Sequence, residues 1–361
     1  MKVPFVDLHA QYLTIKPEID DAIASVISES AYIRGKHVEA FEDNWAKMVG
    51  VKNCISCASG TDALFIGMKA LCLGLKPGYE VITTAHSWIA TSSTITQAGG
   101  KVTFCDTETR SFNIDPGLIE DCITSRTVGI VVVHLYGQPA DMDRIMKIAE
   151  KHNLWVIEDC AQAHLATYKG QNVGTFGNLA TFSFYPGKNL GAYGDAGCIV
   201  TNNLNIAVYC GTFAQHGAKG AHIMEGINSR MDGLQAAILN VKMPHLLKWT
   251  HKRQLIAENY NIKLTGVVTP TWQPQRTHAC HLYVIRTESR NELRDKLNKA
   301  GVSTAIHYSK ALPFYPAYTH LGYKPEDFPR ACANVEQILS LPIYPEITEE
   351  QIEYVVEVIN Q

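Results

Sequence analysis

Apolar residues in the first two-thirds of the chain gather into short runs separated by longer periodic stretches. Seven runs rich in apolar and β-branched residues read as strands: Cys54–Cys57, Glu80–Thr84, Lys101–Cys105, Val128–His134, Leu154–Glu158, Ala180–Phe184 and Cys198–Thr201. Helical spacing recurs between them at Thr61–Leu73, Trp88–Ala98, Pro116–Ile123 and Met142–His152. Alternation of this kind predicts an α/β fold with a largely parallel sheet and helices on both faces. Val131-Val-Val and Val156-Ile lack polar alternation, so they are expected at the centre of the sheet, covered on both sides.

A long helical pattern then runs from Met231 to about Tyr260 with a kink expected at Pro244, and a Pro/Thr-rich stretch follows at Thr269–Pro274. The chain is therefore divided into a large α/β domain over residues 1–245 and a smaller α+β domain over 246–361. In the latter the pattern predicts a strand at His281–Arg286, a helix at Asn291–Ala300, a strand at Val302–Ala305 and two closing helices, the last within Thr348–Asn360.

Composition narrows the function. Among 361 residues, 46% are hydrophobic and 19% charged, and the formal charge of −3 supplies no field for gathering nucleic acid or anionic membrane. No charge-free apolar stretch is long enough to span a bilayer, and the N-terminal Met1–Asp7 is interrupted by Pro4 and Asp7, so a cytoplasmic protein with small-molecule chemistry is expected. Ten cysteines are too few for a disulfide scaffold of this length and are expected as reduced thiols. Cys54-Ile-Ser-Cys57 has no second ligand pair, and His278 and His281 precede a strand pattern on which side chains alternate, so no metal is expected.

The chemistry-bearing residues fall at strand ends, where open α/β sheets bind ligands. Ser59-Gly60-Thr61-Asp62 follows the first strand and opens a helix; it suits a phosphate, though taken alone it reads as a plain N-cap that needs no ligand. Trp88 follows the second strand and offers an indole to stack on a flat ring, or a core side chain. Asp159 ends a strongly apolar strand, where a carboxylate calls for a cationic partner such as a protonated pyridine nitrogen. Ser183 ends another, and Lys188 follows in a Gly-rich turn. A lone Pro-Gly-Lys is an ordinary surface turn; in this setting it suits a Schiff-base lysine for pyridoxal 5′-phosphate.

Ser59-Gly-Thr-Asp-Ala-Leu64, Ser87-Trp-Ile-Ala-Thr91, Glu158-Asp-Cys-Ala-Gln-Ala-His164, Ser183-Phe-Tyr-Pro-Gly-Lys188-Asn-Leu, Gly194-Asp-Ala-Gly197 and Gly226-Ile-Asn-Ser-Arg-Met-Asp232 occur in an order that resembles the DegT/DnrJ/EryC1/StrS sugar aminotransferases. The resemblance spans essentially the whole chain, from Pro4-Phe-Val-Asp-Leu8 to the final helix. It implies the aspartate-aminotransferase-like, type I fold of pyridoxal-phosphate enzymes. It also implies Lys188 as Schiff-base lysine and proton shuttle, Asp159 at the ring nitrogen, Gln162 at the ring hydroxyl and Trp88 on the ring. Gly60, Thr61 and Ser183 would hold the phosphate, with Asn228 reaching it from a second subunit of a homodimer. Tyr185, Lys219, Arg230, His307 and Tyr308 would face a nucleotide-sugar; interdomain packing is the alternative for the last two.

The implied reaction takes an amine from L-glutamate to C3 of a nucleotide-linked, dTDP-type 3-keto-6-deoxyhexose, for unusual sugars of surface glycans or natural products. C4 amination and a UDP-linked 3-keto substrate are the alternatives within transamination. A dehydratase of the family would carry histidine where Lys188 stands, and the intact set of Asp159, Gln162, Ser183 and Lys188 argues against a non-catalytic sensor. Two positions depart from the family pattern. Gly194-Asp-Ala-Gly197 stands where many members have Gly-Glu-Gly-Gly, which resembles the C3-aminating branch, and Leu165 stands where glycine is common, leaving the pocket there open.

Overall fold

The structure is a computed structural model and describes residues 1–361. Three helices, α1 (Leu8–Thr14), α2 (Lys16–Ser28) and α3 (Lys36–Val49), precede the first strand, in a region to which the strand-and-helix alternation assigns nothing. The α/β part follows as β1 (Asn53–Cys57), α4 (Gly60–Leu71), β2 (Glu80–Thr84), α5 (Ala90–Gln97), β3 (Lys101–Cys105), β4 (Thr127–Val133), α6 (Met142–Lys151) and β5 (Trp155–Asp159). A small hairpin, β6 (Thr167–Tyr168) and β7 (Gln171–Asn172), leads to β8 (Leu179–Ser183), β9 (Gly197–Thr201) and α7 (Leu204–Phe213).

The seven large strands form one sheet in the order β1-β9-β8-β5-β4-β2-β3. Strand β9 runs antiparallel to both neighbours, and the remaining pairs are parallel. One edge of the sheet therefore collects the C-terminal ends of β1, β5 and β8 together with the N-terminal end of β9. There Gly197 is in register with Cys57 on one side and Ser183 on the other. The valine run of β4 lies at the centre, with Val131 and Val132 packed into separate hydrophobic clusters on opposite faces.

Helix α8 (Gly233–Lys242) gives way at a 3₁₀ turn, Met243–His245, to α9 (Leu246–Lys263), and Pro244 occupies the break. Beyond it, β10 (Arg276–Thr277) pairs with β6, β11 (Tyr283–Arg286) precedes α10 (Arg290–Lys299), and α11 (Pro329–Gln337), β12 (Ile338–Leu341) and α12 (Glu349–Asn360) close the chain. Tyr260, Tyr283, Leu297 and Val355 anchor the core of this part, which also takes in Val3 from the N-terminus. Leu312, Tyr318 and Phe328 instead pack onto the large sheet's own cluster. No helix is long and apolar enough to cross a membrane.

Three expected elements differ. Pro116–Ile123 forms two 3₁₀ turns: the Asp115 carboxylate caps the Gly117 N–H as at a helix start, but Gly117 propagates a helix poorly and the turns end in extended backbone at Ile123. Val302–Ala305 makes only isolated bridges, Val302 to Val3 and Ala305 to Ser340. The strand that pairs with β11 is β12, which follows α11 with no breaker residue to separate the two patterns.

Candidate active site

The sheet edge opens onto a cleft of about 600 Å³, whose other wall comes from both ends of the chain: Phe5 and Val6, then Arg253, His281, Leu282, His307, Tyr308 and Ile343. After β8 the chain turns so that the Lys188 N–H reaches the Tyr185 carbonyl at 2.8 Å, which sets the half-buried Lys188 side chain in the cleft wall. Desolvation pushes its ammonium down to about 8, against the opposing charge of Asp159. An amine in that range keeps a usable neutral fraction near pH 7.

Asp159 closes β5 and is 5% exposed. Its carboxylate accepts from the Thr91 hydroxyl at 2.9 Å and the Ala161 N–H at 3.2 Å, and it has no ion-pair partner. Burial pushes its pKa up, opposed by the Ala161 and Thr91 hydrogen bonds and by the Lys188 charge. A carboxylate so enclosed is unfavourable unless a cation or a donor enters the cleft beside it.

A second feature of the same wall is built by glycine. Ser59 caps α4 through the Asp62 N–H at 3.1 Å, leaving the first-turn N–H groups of the helix directed outward. A β-carbon on Gly60 would stand 2.6 Å from the Ser183 Cβ, and one on Gly197 would strike the Ser59 carbonyl group. Only glycine permits β1, β8 and β9 to converge there, and the cradle so formed carries Thr61 and Ser183 with a helix N-terminus, the donor set of an anion site.

Gln162 is buried behind the cleft; its Oε1 accepts the Tyr136 N–H at 2.5 Å and its Nε2 donates to the Tyr308 hydroxyl at 3.0 Å. The Tyr136 hydroxyl donates to the His307 carbonyl and also meets His86 Nε2 at 2.9 Å, while His307 Nδ1 meets the Ser340 hydroxyl at 2.9 Å. Burial holds His86 and His307 down at about 4, so both are neutral at physiological pH. Trp88 is 57% exposed at the mouth, its ring 5.5 Å from that of Tyr308.

One cleft thus brings together Gly60, Thr61, Trp88, Asp159, Gln162, Ser183, Tyr185, Lys188, His307 and Tyr308. Lys219, Asn228 and Arg230 do not line it. Between the last two, the fully buried Ser229 pins the segment to α4, donating to Asp62 Oδ2 at 2.6 Å and accepting the Ala58 N–H at 3.1 Å. Lys219 and Asn228 remain exposed.

A buried cluster of His134, Glu158 and Cys160 has the ligand types of a metal site. His134 Nδ1 accepts the Ala140 N–H at 3.0 Å, so the proton is on Nε2 and is directed at Glu158. Glu158 also accepts N–H groups of Gly174, Phe176 and Gly177, each at 2.8 Å. These bonds fill the His134 Nδ1 and Glu158 acceptor positions, and burial pushes the Cys160 thiol well above its ordinary pKa so that it stays protonated; the cluster is a structural hub.

The model of the DegT/DnrJ/EryC1/StrS aminotransferase family matches residues 13–360. The chain belongs to that family. The aminotransferase is 44% identical to the "Pleiotropic regulatory protein" of Geobacillus stearothermophilus, over 100% of this chain and 98% of the relative. It is 40% identical to the dTDP-3-amino-3,6-dideoxy-alpha-D-galactopyranose transaminase of Aneurinibacillus thermoaerophilus, over 99% of each. It is also 40% identical to the UDP-2-acetamido-2-deoxy-3-oxo-D-glucuronate aminotransferase of Pseudomonas aeruginosa, over 95% of each. The crystal structure of S. venezuelae DesV in complex with a ketimine intermediate superposes with a TM-score of 0.96 at 37% identity, covering 99% of this chain and 98% of that one. The fold is the type I fold of pyridoxal-phosphate aminotransferases.

Several cleft residues of the aminotransferase were not singled out by motif. Thr91, buried behind the cleft lining where it holds Asp159, ends the same Ser87–Thr91 motif as Trp88, and membership of that motif was the available signal. Asp195, within the Gly194–Gly197 departure, lines the cleft, whereas Leu165 does not. Leu165 takes the left-handed φ of 57° that glycine would adopt freely, and its side chain leans on the cluster around Trp45 and Phe182. Arg253, in the middle of α9, left no local signal.

Proposed function

We propose that the chain transfers the amino group of L-glutamate to C3 of a dTDP-linked 3-keto-6-deoxyhexose, yielding the 3-amino-3,6-dideoxy sugar and 2-oxoglutarate, with pyridoxal 5′-phosphate as cofactor. The observation that carries the reading is the meeting of Lys188 and Asp159 in one cleft whose same wall holds the glycine-built cradle at Gly60 and Ser183.

These residues fit the cofactor. The cradle accepts a phosphate that no side chain of this chain fills, the unpaired Asp159 answers a protonated ring nitrogen, and Lys188 offers a desolvated amine. When bound, pyridoxal phosphate supplies the carbonyl that carries the amine and the electron sink for the carbon that loses a proton. Lys188 would hold it through its amine and, when free, would carry the proton at the donor's α-carbon and at the sugar carbon. Asp159, fixed by Thr91, would face the ring nitrogen and favour its protonated form. Gln162 would offer its amide to the ring hydroxyl, and Trp88 its indole to the ring face. Tyr185, His307 and Tyr308 border the space left for the sugar.

Lys219, Asn228 and Arg230 lie outside the cleft of their own chain, and their roles at phosphate and nucleotide rest on a second copy that lends them across a homodimer interface. C3 is supported by the Tyr185–Gly197 loop and by the names of the two 40% identical transaminases, one a 3-amino and the other a 3-oxo sugar. Their equal identity also favours a second reading, a UDP-linked 3-keto sugar aminated at the same carbon.

Incubation with L-glutamate and each keto sugar, followed by NMR of the product, tests the proposal. Nitrogen on C3 supports it. Nitrogen on C4 overturns the regiochemistry, and no transfer to any keto sugar overturns the function.

A further inference from the structure

Arg253 is 4% exposed, lies in the cleft wall and has no carboxylate partner. Its Nη1 is fully occupied, donating to the Ile343 carbonyl at 2.6 Å and to those of Cys280 and His281 at 3.5 Å. These three backbone contacts hold the guanidinium plane in place from one side. Its Nε is buried with no acceptor at all, and Nη2, on the same edge of the fork as Nε, makes no hydrogen bond to the protein. Glu346 acts on Arg253 only through its charge, without an ion-pair contact, and desolvation pulls the guanidinium down to about 10, still charged at physiological pH.

A buried cation with a free donor is costly unless an acceptor completes it; Nε is enclosed by the protein, and the Nη2 N–H groups are the donors left for an oxygen of a carboxylate entering the cleft. We propose that Arg253 is the residue that binds a carboxylate of the amino donor, and so selects amino acids as the first substrate. The inference rests on the aminotransferase reading. It assigns to this chain's own α9 a donor contact separate from Arg230, which lies outside the cleft. Backbone anchoring of Nη1 gives the fork a fixed orientation, which lysine, a point charge on a flexible stem, would lack.

The test measures binding apart from turnover. Calorimetry on the cofactor-loaded enzyme uses glutarate, a dicarboxylate with no amine to react, with dTDP as a control ligand. Wild type should bind glutarate; Arg253→Lys should weaken it about tenfold, and Arg253→Met should bind it more weakly still, with dTDP affinity unchanged in Arg253→Lys. In the half-reaction with L-glutamate, KM should rise in Arg253→Lys while KM for the keto sugar stays put. No glutarate binding to wild type, an affinity unchanged in Arg253→Lys, or parallel loss of glutarate and dTDP binding in that variant would each overturn the assignment, the last marking a purely structural arginine. If wild type binds glutarate through Arg253 but transfers no amine to any keto sugar, the functional reading fails and the carboxylate site stands.

Discussion

Gly60 approaches Ser183 so closely that a β-carbon on it would stand 2.6 Å from the Ser183 Cβ and 3.1 Å from its Cα. Neither atom is the free end of a flexible side chain, so the strand ends themselves would have to part. Gly60→Ala is expected to weaken pyridoxal phosphate binding at least about tenfold and to destabilise the protein by roughly 1–3 kcal/mol. Cofactor titration and thermal melting check both, and unchanged affinity would remove Gly60 from the phosphate seat.

Lys188 should react with pyridoxal phosphate along a pH profile of its own. Its amine is held down to about 8, so the rate at which cofactor-free protein takes up the aldehyde should rise through that pH rather than near the ordinary lysine value. Asp159 opposes the depression, and Asp159→Asn should therefore move the midpoint lower. Lys188→Ala should lose the borohydride-fixed adduct, and its transamination should fall at least about a thousandfold. A midpoint above 10, or an adduct mapped to another lysine, would contradict this site.

The Glu158 hub predicts a stability effect without a metal effect. In Glu158→Gln one carboxylate oxygen becomes an NH₂ facing donors of the hub, so two acceptor contacts are lost and donors oppose each other. A loss on the order of 3 kcal/mol is expected by denaturant titration. Chelator should leave both folding and activity of the wild type unchanged, and activity restored by added zinc after chelation would contradict the structural reading.

Subunit sharing can be read from mixed variants. Lys188→Ala and Asn228→Ala are each expected to be strongly impaired, and mixed after verified exchange they should recover roughly one quarter of wild-type activity, one intact site in each heterodimer. No recovery would place Asn228 outside the active site or within its own chain's.

The sequence by itself determined the parts of this protein that depend on local pattern. Short apolar, β-branched runs marked the seven strands, period-3.6 spacing marked most of the helices between them, and Pro244 marked the break between α8 and α9, because side-chain branching, helix pitch and proline's missing N–H act over a few residues. Strand-end placement likewise made Gly60, Asp159, Ser183 and Lys188 readable as one chemistry before any distance was known. Tertiary structure alone decided what depends on contacts between distant segments. Strand β12 became a strand by pairing with β11. Arg253 entered the cleft because Ile343, ninety residues further along the chain, holds its guanidinium there, and no window of sequence records such a partner. His134 and Glu158 show the same limit: they have the side chains of a metal site, and the N–H groups of Ala140, Gly174, Phe176 and Gly177 fill the lone pairs an ion would need.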